Sequence, residues 1–295
     1  MPTALQQHTH QQSHSSQSLQ VTRLEPTIGA EVSGIDLSQP ITPALRDELR
    51  ALLLEHKVIF FRDQDIDTAQ QIAFAREFGE LYVHPTTQQN DPSKPQAHLI
   101  QAQDERKLYG PRTSGRWHTD TSWLLQPTLG AILRAVDLPD VGGDTLWADT
   151  GAVYRALPEE LREEIDTLQV VHDFKMSLDL VGFHYPILAH PLVRTHPETG
   201  EDGLFINFSQ NPSVIGWTPE RSKQLIDRLL QEFSKPEHQV RFKWRKHSIA
   251  FWDNRSTLHY PVYNYGDYPR RMERVLIAYD DIPHRVRRPE QTATV

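Results

Sequence analysis

Apolar and polar positions along this chain fall into short runs typical of strands and into the 3.6-residue period of amphipathic helices, and the chain closes in strands. Near the start, LQVTRLEPTIGAEVSGIDLS carries short alternating runs broken by glycine and proline, which predicts strands at a sheet's edge. ITPALRDELRALLLEHK predicts a helix, with Thr42 as cap, Pro43 at a first helical position and leucines at helical spacing. VIFF reads as a buried strand. DTAQQIAFAREFGEL predicts a second helix, capped by Asp67 or Thr68 and closed by Gly79. From Asp91 to Gly115 no period is sustained, so a long loop is expected there, and long loops in compact domains often act as lids.

Beyond that loop, TLGAILRAVDLP, VGG and DTLWAD predict strand, turn and returning strand, a hairpin. GAVYRALPEELREEIDTLQ reads as one helix with a solvated acidic face, and Val170 to Trp217 is irregular, with short strands at HPLVRTH and GLFINF. TPERSKQLIDRLLQEFSKP, opening on Thr218 and Pro219, is the last clear helix; HQVRFKWRK, HSIAFWD and RRMERVLIAYD then read as strands. There is no internal repeat, no βαβ alternation and no glycine-rich phosphate loop, which removes dinucleotide-binding and P-loop folds. The expected fold is mainly β with flanking helices, a double-sheet jelly roll.

Composition narrows the function. The 295 residues are 38% hydrophobic and 24% charged, ordinary values for a globular protein, and no apolar run approaches the roughly 20 residues of a membrane helix. A formal charge of -8 argues against a general nucleic-acid surface, although a few buried arginines can still hold a small anion. With no cysteine, any metal must sit on nitrogen and oxygen. Residues 1–18, rich in Gln, Ser and His, read as a disordered polar tail with neither an apolar core nor a positive leader, and residues 19–295 as one domain. A cytoplasmic protein is expected, with no membrane or nucleic-acid partner and room for a homo-oligomer. His8, His10 and His14 belong to the solvated tail.

The chemistry concentrates in GRWHTDTSW and in the C-terminal block FWDNRSTLHYPVYNYGDYPRRMERVLIAYD. On an extended segment His118 and Asp120 share a side while Thr119 points away. His259 offers a second imidazole in an aromatic setting. Two neutral imidazoles and a carboxylate on one side of an octahedral ion form the facial triad of non-heme iron(II) oxygenases, leaving three positions open. On the last strand Arg270, Met272, Arg274, Leu276 and Ala278 share one face, and Arg271, Glu273, Val275, Ile277 and Tyr279 the other. Two orientations remain open: both arginines inside, where they need an anion, or both in solvent with Val275 and Ile277 in the core. Trp117, Trp147 and Trp252 read as packing walls, and His184, His190, His196 and His247 as surface or core histidines. Ser256, Thr257 and His259 lack the glycine elbow of a serine nucleophile.

WHTD, VGGDTLWA, HPLVRTHPETG, WDNRSTLHY and the RRMER strand, in this order and at these separations, resemble the taurine dioxygenase and 2,4-D dioxygenase (TauD/TfdA) family of Fe(II)- and 2-oxoglutarate-dependent oxygenases. The resemblance covers the chain after the tail and implies the double-stranded β-helix, a cupin-like jelly roll. It makes His118, Asp120 and His259 the iron ligands and the catalytic set. Thr145 and Arg270 fall where the family holds the distal carboxylate of 2-oxoglutarate. Arg274 matches the position that reaches the substrate's anionic group in sulfonate- and sulfate-using members, and His84 matches a substrate-contacting histidine in those members. Ser114 and the FSQN stretch, Phe208 to Asn211, depart from the taurine-using pattern of asparagine and EGFT.

The resemblance implies a dioxygenase that uses Fe(II), 2-oxoglutarate and O2 to hydroxylate a small anionic substrate, with succinate and CO2 as co-products. An alkyl sulfonate or sulfate ester is the first expectation, and a carboxylate such as an aryloxyalkanoate or amino-acid derivative the alternative. Different in class are a cupin-like metal-binding protein without turnover and a zinc hydrolase at the same triad. Asp120 argues against the family's halogenases, which lack the carboxylate ligand.

Overall fold

The computed structural model describes residues 18–85, 93–101 and 116–286. All but the last residue of the expected tail, Ser114 and most of the expected lid lie outside them. The main sheet is built from β1 (Gln20–Arg23), β2 (Ala30–Ser33), β3 (Val58–Phe61), β4 (Leu81–Tyr82), β5 (Ala97–Gln101), β6 (Gly130–Asp137), β14 (Ile249–Asp253) and β16 (Arg271–Ile277). Its order is β1-β2-β3-β14-β6-β16-β4, with β5 also pairing β16. A second sheet runs β13 (Gln239–Phe242), β7 (Thr145–Asp149), β15 (Thr257–Pro261). Two small sheets complete the set: β8 (Gln169–His172) with β9 (Leu188–Pro191) and β12 (Ser213–Val214), and β10 (Val193–Thr195) with β11 (Asp202–Leu204). This is the cupin-like jelly roll.

Period-two alternation explains how the main sheet stands between two cores. Ile59 and Phe61 of β3, Ile249 and Phe251 of β14, and Val275 and Ile277 of β16 face α1 (Pro43–His56) and α2 (Thr68–Arg76) in one apolar cluster. Their neighbours Val58, Phe60, Ala250, Trp252, Met272 and Leu276 face the second sheet, meeting Trp147, Val240 and Phe242. VIFF is apolar throughout because both its faces are buried. The helix starts follow their caps: Thr42 accepts from the Leu45 amide, and Asp67 with Gln70 closes a capping box. β1, exposed at all four residues, forms the sheet's edge as its sequence predicts.

Four expectations fail locally. The predicted hairpin is absent: β6 pairs with β14 and β16, whereas β7 pairs with β13 and β15, so the VGG segment turns a corner between sheets. The helix expected over 151–169 is two, α3 (Thr150–Ala156) and α4 (Glu159–Ile165), because Pro158 cannot continue α3 and instead precedes the first turn of α4. The second helix ends at Arg76, short of Gly79. Within the expected loop, Ala97–Gln101 is a strand paired with β16. Among the described residues the remaining α-helices are α5 (Lys175–Asp179) and α6 (Pro219–Phe233), the latter capped by Thr218.

Candidate functional site

His118 and His259 are joined by the backbone. The two residues exchange both amide hydrogen bonds, at 3.0 and 2.7 Å, in an isolated antiparallel bridge, which sets their ring centroids 4.0 Å apart. The chain leaves the bridge at once and turns through Thr121, whose φ is 53°, so Asp120 sits on a turn and not on the extended segment expected from sequence. Even so, one ligand atom each from His118, Asp120 and His259 lies within 4.8 Å of the others. Thr119 does point elsewhere, its hydroxyl donating to the Asn254 carbonyl at 3.0 Å.

A buried polar frame holds this turn. Asn207 donates through Nδ2 to the Thr119 carbonyl at 2.8 Å and to the Ser122 hydroxyl at 2.9 Å, on either side of Asp120. Thr121 and Thr128 bond hydroxyl to hydroxyl at 2.9 Å, and Asn254 donates to Thr128 at the same distance. All of these residues are buried, so each unmade bond would leave a desolvated polar group.

The donor set fits iron(II). His118 Nδ1 lies 2.9 Å from the Arg116 carbonyl, which only accepts; Nδ1 therefore donates there and Nε2 is the nitrogen left to face a metal. Burial, with the neighbouring His118 and Arg274, holds the His259 pKa well below its ordinary value, so this imidazole is neutral as a metal ligand must be. Asp120 Oδ1 accepts from Arg274 Nη1 at 2.5 Å, while the buried Oδ2 has no hydrogen-bond partner among the described residues. Such an oxygen is costly unless a cation meets it. Two neutral nitrogens and one carboxylate oxygen, without sulfur, match the facial triad.

Thr145, the first residue of β7, and Arg270, just before β16, converge beside the triad. Arg270 donates through Nε to the Gly143 carbonyl at 2.9 Å and through Nη2 to the Thr145 hydroxyl at 3.3 Å. Thr145 Oγ1 also accepts from Trp244 Nε1 at 3.0 Å, so both bonds use its lone pairs and its own proton is left to donate. Gly143 has a φ of +72°, and a Cβ there would come 3.0 Å from Arg270 Cδ. Glycine thus permits both the turn and the close approach of the guanidinium.

Arg274 extends from the same face of β16. Its Nη2 lies 3.3 Å from His98 Nδ1, and its buried Nε has no hydrogen-bond partner among the described residues. His84 stacks on His98, ring centroids 6.0 Å apart, and meets the Trp123 and Phe174 rings edge to face. Burial lowers the His84 pKa to about 3, with Arg274 adding to the effect, so His84 is neutral. A cavity of about 140 Å³ is lined by all seven residues singled out in the sequence: His84, His118, Asp120, Thr145, His259, Arg270 and Arg274. Arg271, on the opposite face, is exposed beside Asp137.

The histidines set aside have other partners. His184, His196 and His247 lie 3.1, 3.2 and 3.1 Å from Asp179, Asp253 and Asp65, and His190 lies 2.9 Å from the Leu124 carbonyl. Trp117, Trp147 and Trp252 are buried, and the latter two pack on the His259 ring. Of the FSQN stretch, Ser209 and Gln210 line the cavity. Sequence reasoning missed His98, Trp244 and Asn207. Trp244 was within reach, since alternation puts it on the face of Phe242; His98 and Asn207 sit in stretches without a sustained period.

Comparison with known proteins agrees with this geometry. The profile of the "Taurine catabolism dioxygenase TauD, TfdA family" matches residues 20–276. The alpha-ketoglutarate-dependent sulfate ester dioxygenase of Pseudomonas putida is 36% identical over 268 residues, 85% of this chain and 86% of that protein. An alkylsulfatase of Acinetobacter baylyi is 34% identical over 282 residues, 89% of this chain and 86% of its own length. The solved structure of a taurine dioxygenase from Burkholderia xenovorans superposes with a TM-score of 0.77 at 37% identity, covering 90% of this chain and 91% of the other.

Proposed function

Because the chain belongs to the taurine catabolism dioxygenase TauD, TfdA family of iron(II)- and 2-oxoglutarate-dependent dioxygenases, we propose that it acts in the cytoplasm on a small anionic substrate, an alkyl sulfate ester or sulfonate. The sulfate ester dioxygenase and alkylsulfatase it resembles support that choice. So does one observation of its own: Arg274, whose buried Nε meets no acceptor among the described residues, lines the same cavity as the triad. Paired with Asp120 through Nη1, the guanidinium still has a donor to offer a substrate anion.

In this reading His118, Asp120 and His259 hold iron(II). Iron bound there supplies the redox chemistry that couples O2 and the decarboxylation of 2-oxoglutarate to hydroxylation of a C–H bond. Arg270, braced on the Gly143 carbonyl, and the Thr145 hydroxyl take the distal carboxylate of 2-oxoglutarate by charge-assisted hydrogen bonds. Arg274 and His84 take the substrate's anion, and Trp123 and Phe174 wall the cavity against water. Anchoring both carbon chains by their anionic ends orients the reacting carbon, which is the protein's main contribution to rate. Hydroxylation at a carbon bearing a sulfate ester or sulfonate gives a product that collapses to an aldehyde and releases sulfate or sulfite.

A carboxylate substrate is the second reading. The aromatic wall of Trp123 and Phe174 beside Arg274 would suit an aryloxyalkanoate, ring to the wall and carboxylate to the guanidinium. A panel of alkyl sulfates, alkanesulfonates, aryloxyacetates and their neutral alcohol analogues, scored by succinate formed with Fe(II) and 2-oxoglutarate, separates the two. Neutral analogues raising succinate as much as the anions would sink both.

A further inference from the structure

His98 lies on β5, and its Cα is the register partner of Arg274 on β16. Directly opposed residues on neighbouring antiparallel strands project from the same face of the sheet, so this pairing brings the imidazole to the guanidinium. The 3.3 Å contact between Arg274 Nη2 and His98 Nδ1 has a single chemical sense. A guanidinium has donors only, so Nδ1 must accept; His98 is neutral and its proton sits on Nε2. Arg274 is therefore held at two points, by Asp120 through Nη1 and by His98 through Nη2, and its buried Nε has no partner among the described residues. His98 is itself fixed, its ring stacked on His84 at an interplanar angle of 16°.

We propose that His98 is a positioning residue for substrate: by accepting from Arg274 it fixes the guanidinium in the orientation that meets the substrate's anion. This rests on the reading that Arg274 receives that anion. Because the Asp120 carboxylate already pairs with Nη1, a neutral acceptor at Nη2 adds no second negative charge to compete with the substrate's anion. Without its acceptor, the guanidinium regains rotamers that point away from the anion, and the cost of ordering it falls on substrate binding. Arg270 and Thr145 are held by Gly143 and Trp244 instead, so the 2-oxoglutarate end is independent of His98.

The test uses the iron-loaded full chain and whichever of hexyl sulfate, hexanesulfonate and phenoxyacetate the wild type turns over fastest. His98→Leu is expected to raise KM for that anion about tenfold, the equivalent of one charged hydrogen bond. Its kcat and its anaerobic 2-oxoglutarate titration should stay within twofold of wild type. His98→Gln, whose Oε1 can accept from the guanidinium, should recover most of the KM, and it carries the test alone if the leucine variant fails to fold. Arg274→Ala, run alongside, should raise KM at least as far. If Arg274→Ala raises KM and His98→Leu does not, the role of His98 is refuted while the reading of Arg274 stands. An unchanged KM in Arg274→Ala, or no turnover of any of the three anions, overturns that reading and this inference with it. A glutamine variant as impaired as the leucine one, or a parallel loss of 2-oxoglutarate binding, shows that His98 only packs, and also overturns the proposal.

Discussion

Replacing Arg270 by alanine tests the proposed cosubstrate end of the cavity. Arg270 is 8% exposed and, among the described residues, donates to the Gly143 carbonyl and to the Thr145 hydroxyl. Thr145 keeps its bond from Trp244, and the two bonds named carry about 1–2 kcal/mol of fold stability, the scale of one or two net hydrogen bonds. The 2-oxoglutarate carboxylate, by contrast, loses a charged donor worth about 1.5–3 kcal/mol. At about 1.4 kcal/mol per decade, its Kd should rise roughly 10- to 150-fold. Anaerobic titration of the Fe(II) protein, followed by the charge-transfer absorption of the iron and 2-oxoglutarate complex, reads that Kd without turnover. Arg271→Ala is the control: Arg271 faces outward beside Asp137 at 3.4 Å, an exposed pair that contributes little, and its titration should match wild type. An Arg270→Ala curve within twofold of wild type would refute the assignment of this face to the cosubstrate.

Asp120→Ala and Asp120→Asn should both lose metal binding and turnover, but only the alanine leaves Arg274 Nη1 without an acceptor, so the asparagine variant should melt at the higher temperature; equal melting would show that the Arg274 contact contributes nothing. Asn207→Ala frees the Thr119 carbonyl and the Ser122 hydroxyl beside Asp120 and should weaken Mn(II) affinity, read by calorimetry, roughly 10- to 100-fold, whereas wild-type affinity would mean the turn holds its shape unaided. Burial lowers the pKa of His172 to about 3 and of His190 to about 4, from an ordinary 6.5. Because the unfolded chain takes up these protons first, stability present above pH 6.5 is lost as pH falls towards 4, by about 1.4 kcal/mol per unit for each histidine. His172→Phe should accordingly reduce the loss in unfolding free energy between pH 7.5 and 5.5 by about 1.4 kcal/mol, and urea titrations at the two pH values check it.

What was legible in the sequence is what neighbours along the chain decide. Thr42 and Asp67 announce their helices because a cap needs only the next three residues. Alternation on β16 shows that Arg270, Met272 and Arg274 share a face, since a strand's side chains point to opposite sides in turn. The HxD spacing, the distant His259 and the ordered motifs name the family, and the family brings the jelly roll with it.

Alternation cannot say which face of β16 is inside. Val275 and Ile277 are as apolar as any core pair, and only the stacking of the second sheet over Met272 and Leu276 turns the arginines inward. VGG reads equally as a hairpin turn or as a corner; β6 and β7 part there because each finds its strand partners more than 90 residues further on. Asp120 reaches the His118 and His259 imidazoles from a turn held by Asn207, and His98 meets Arg274 through a register spanning 176 residues. Strand pairing and the closure of polar networks are long-range contacts, chosen by the folded chain as a whole, and no local window carries their partners.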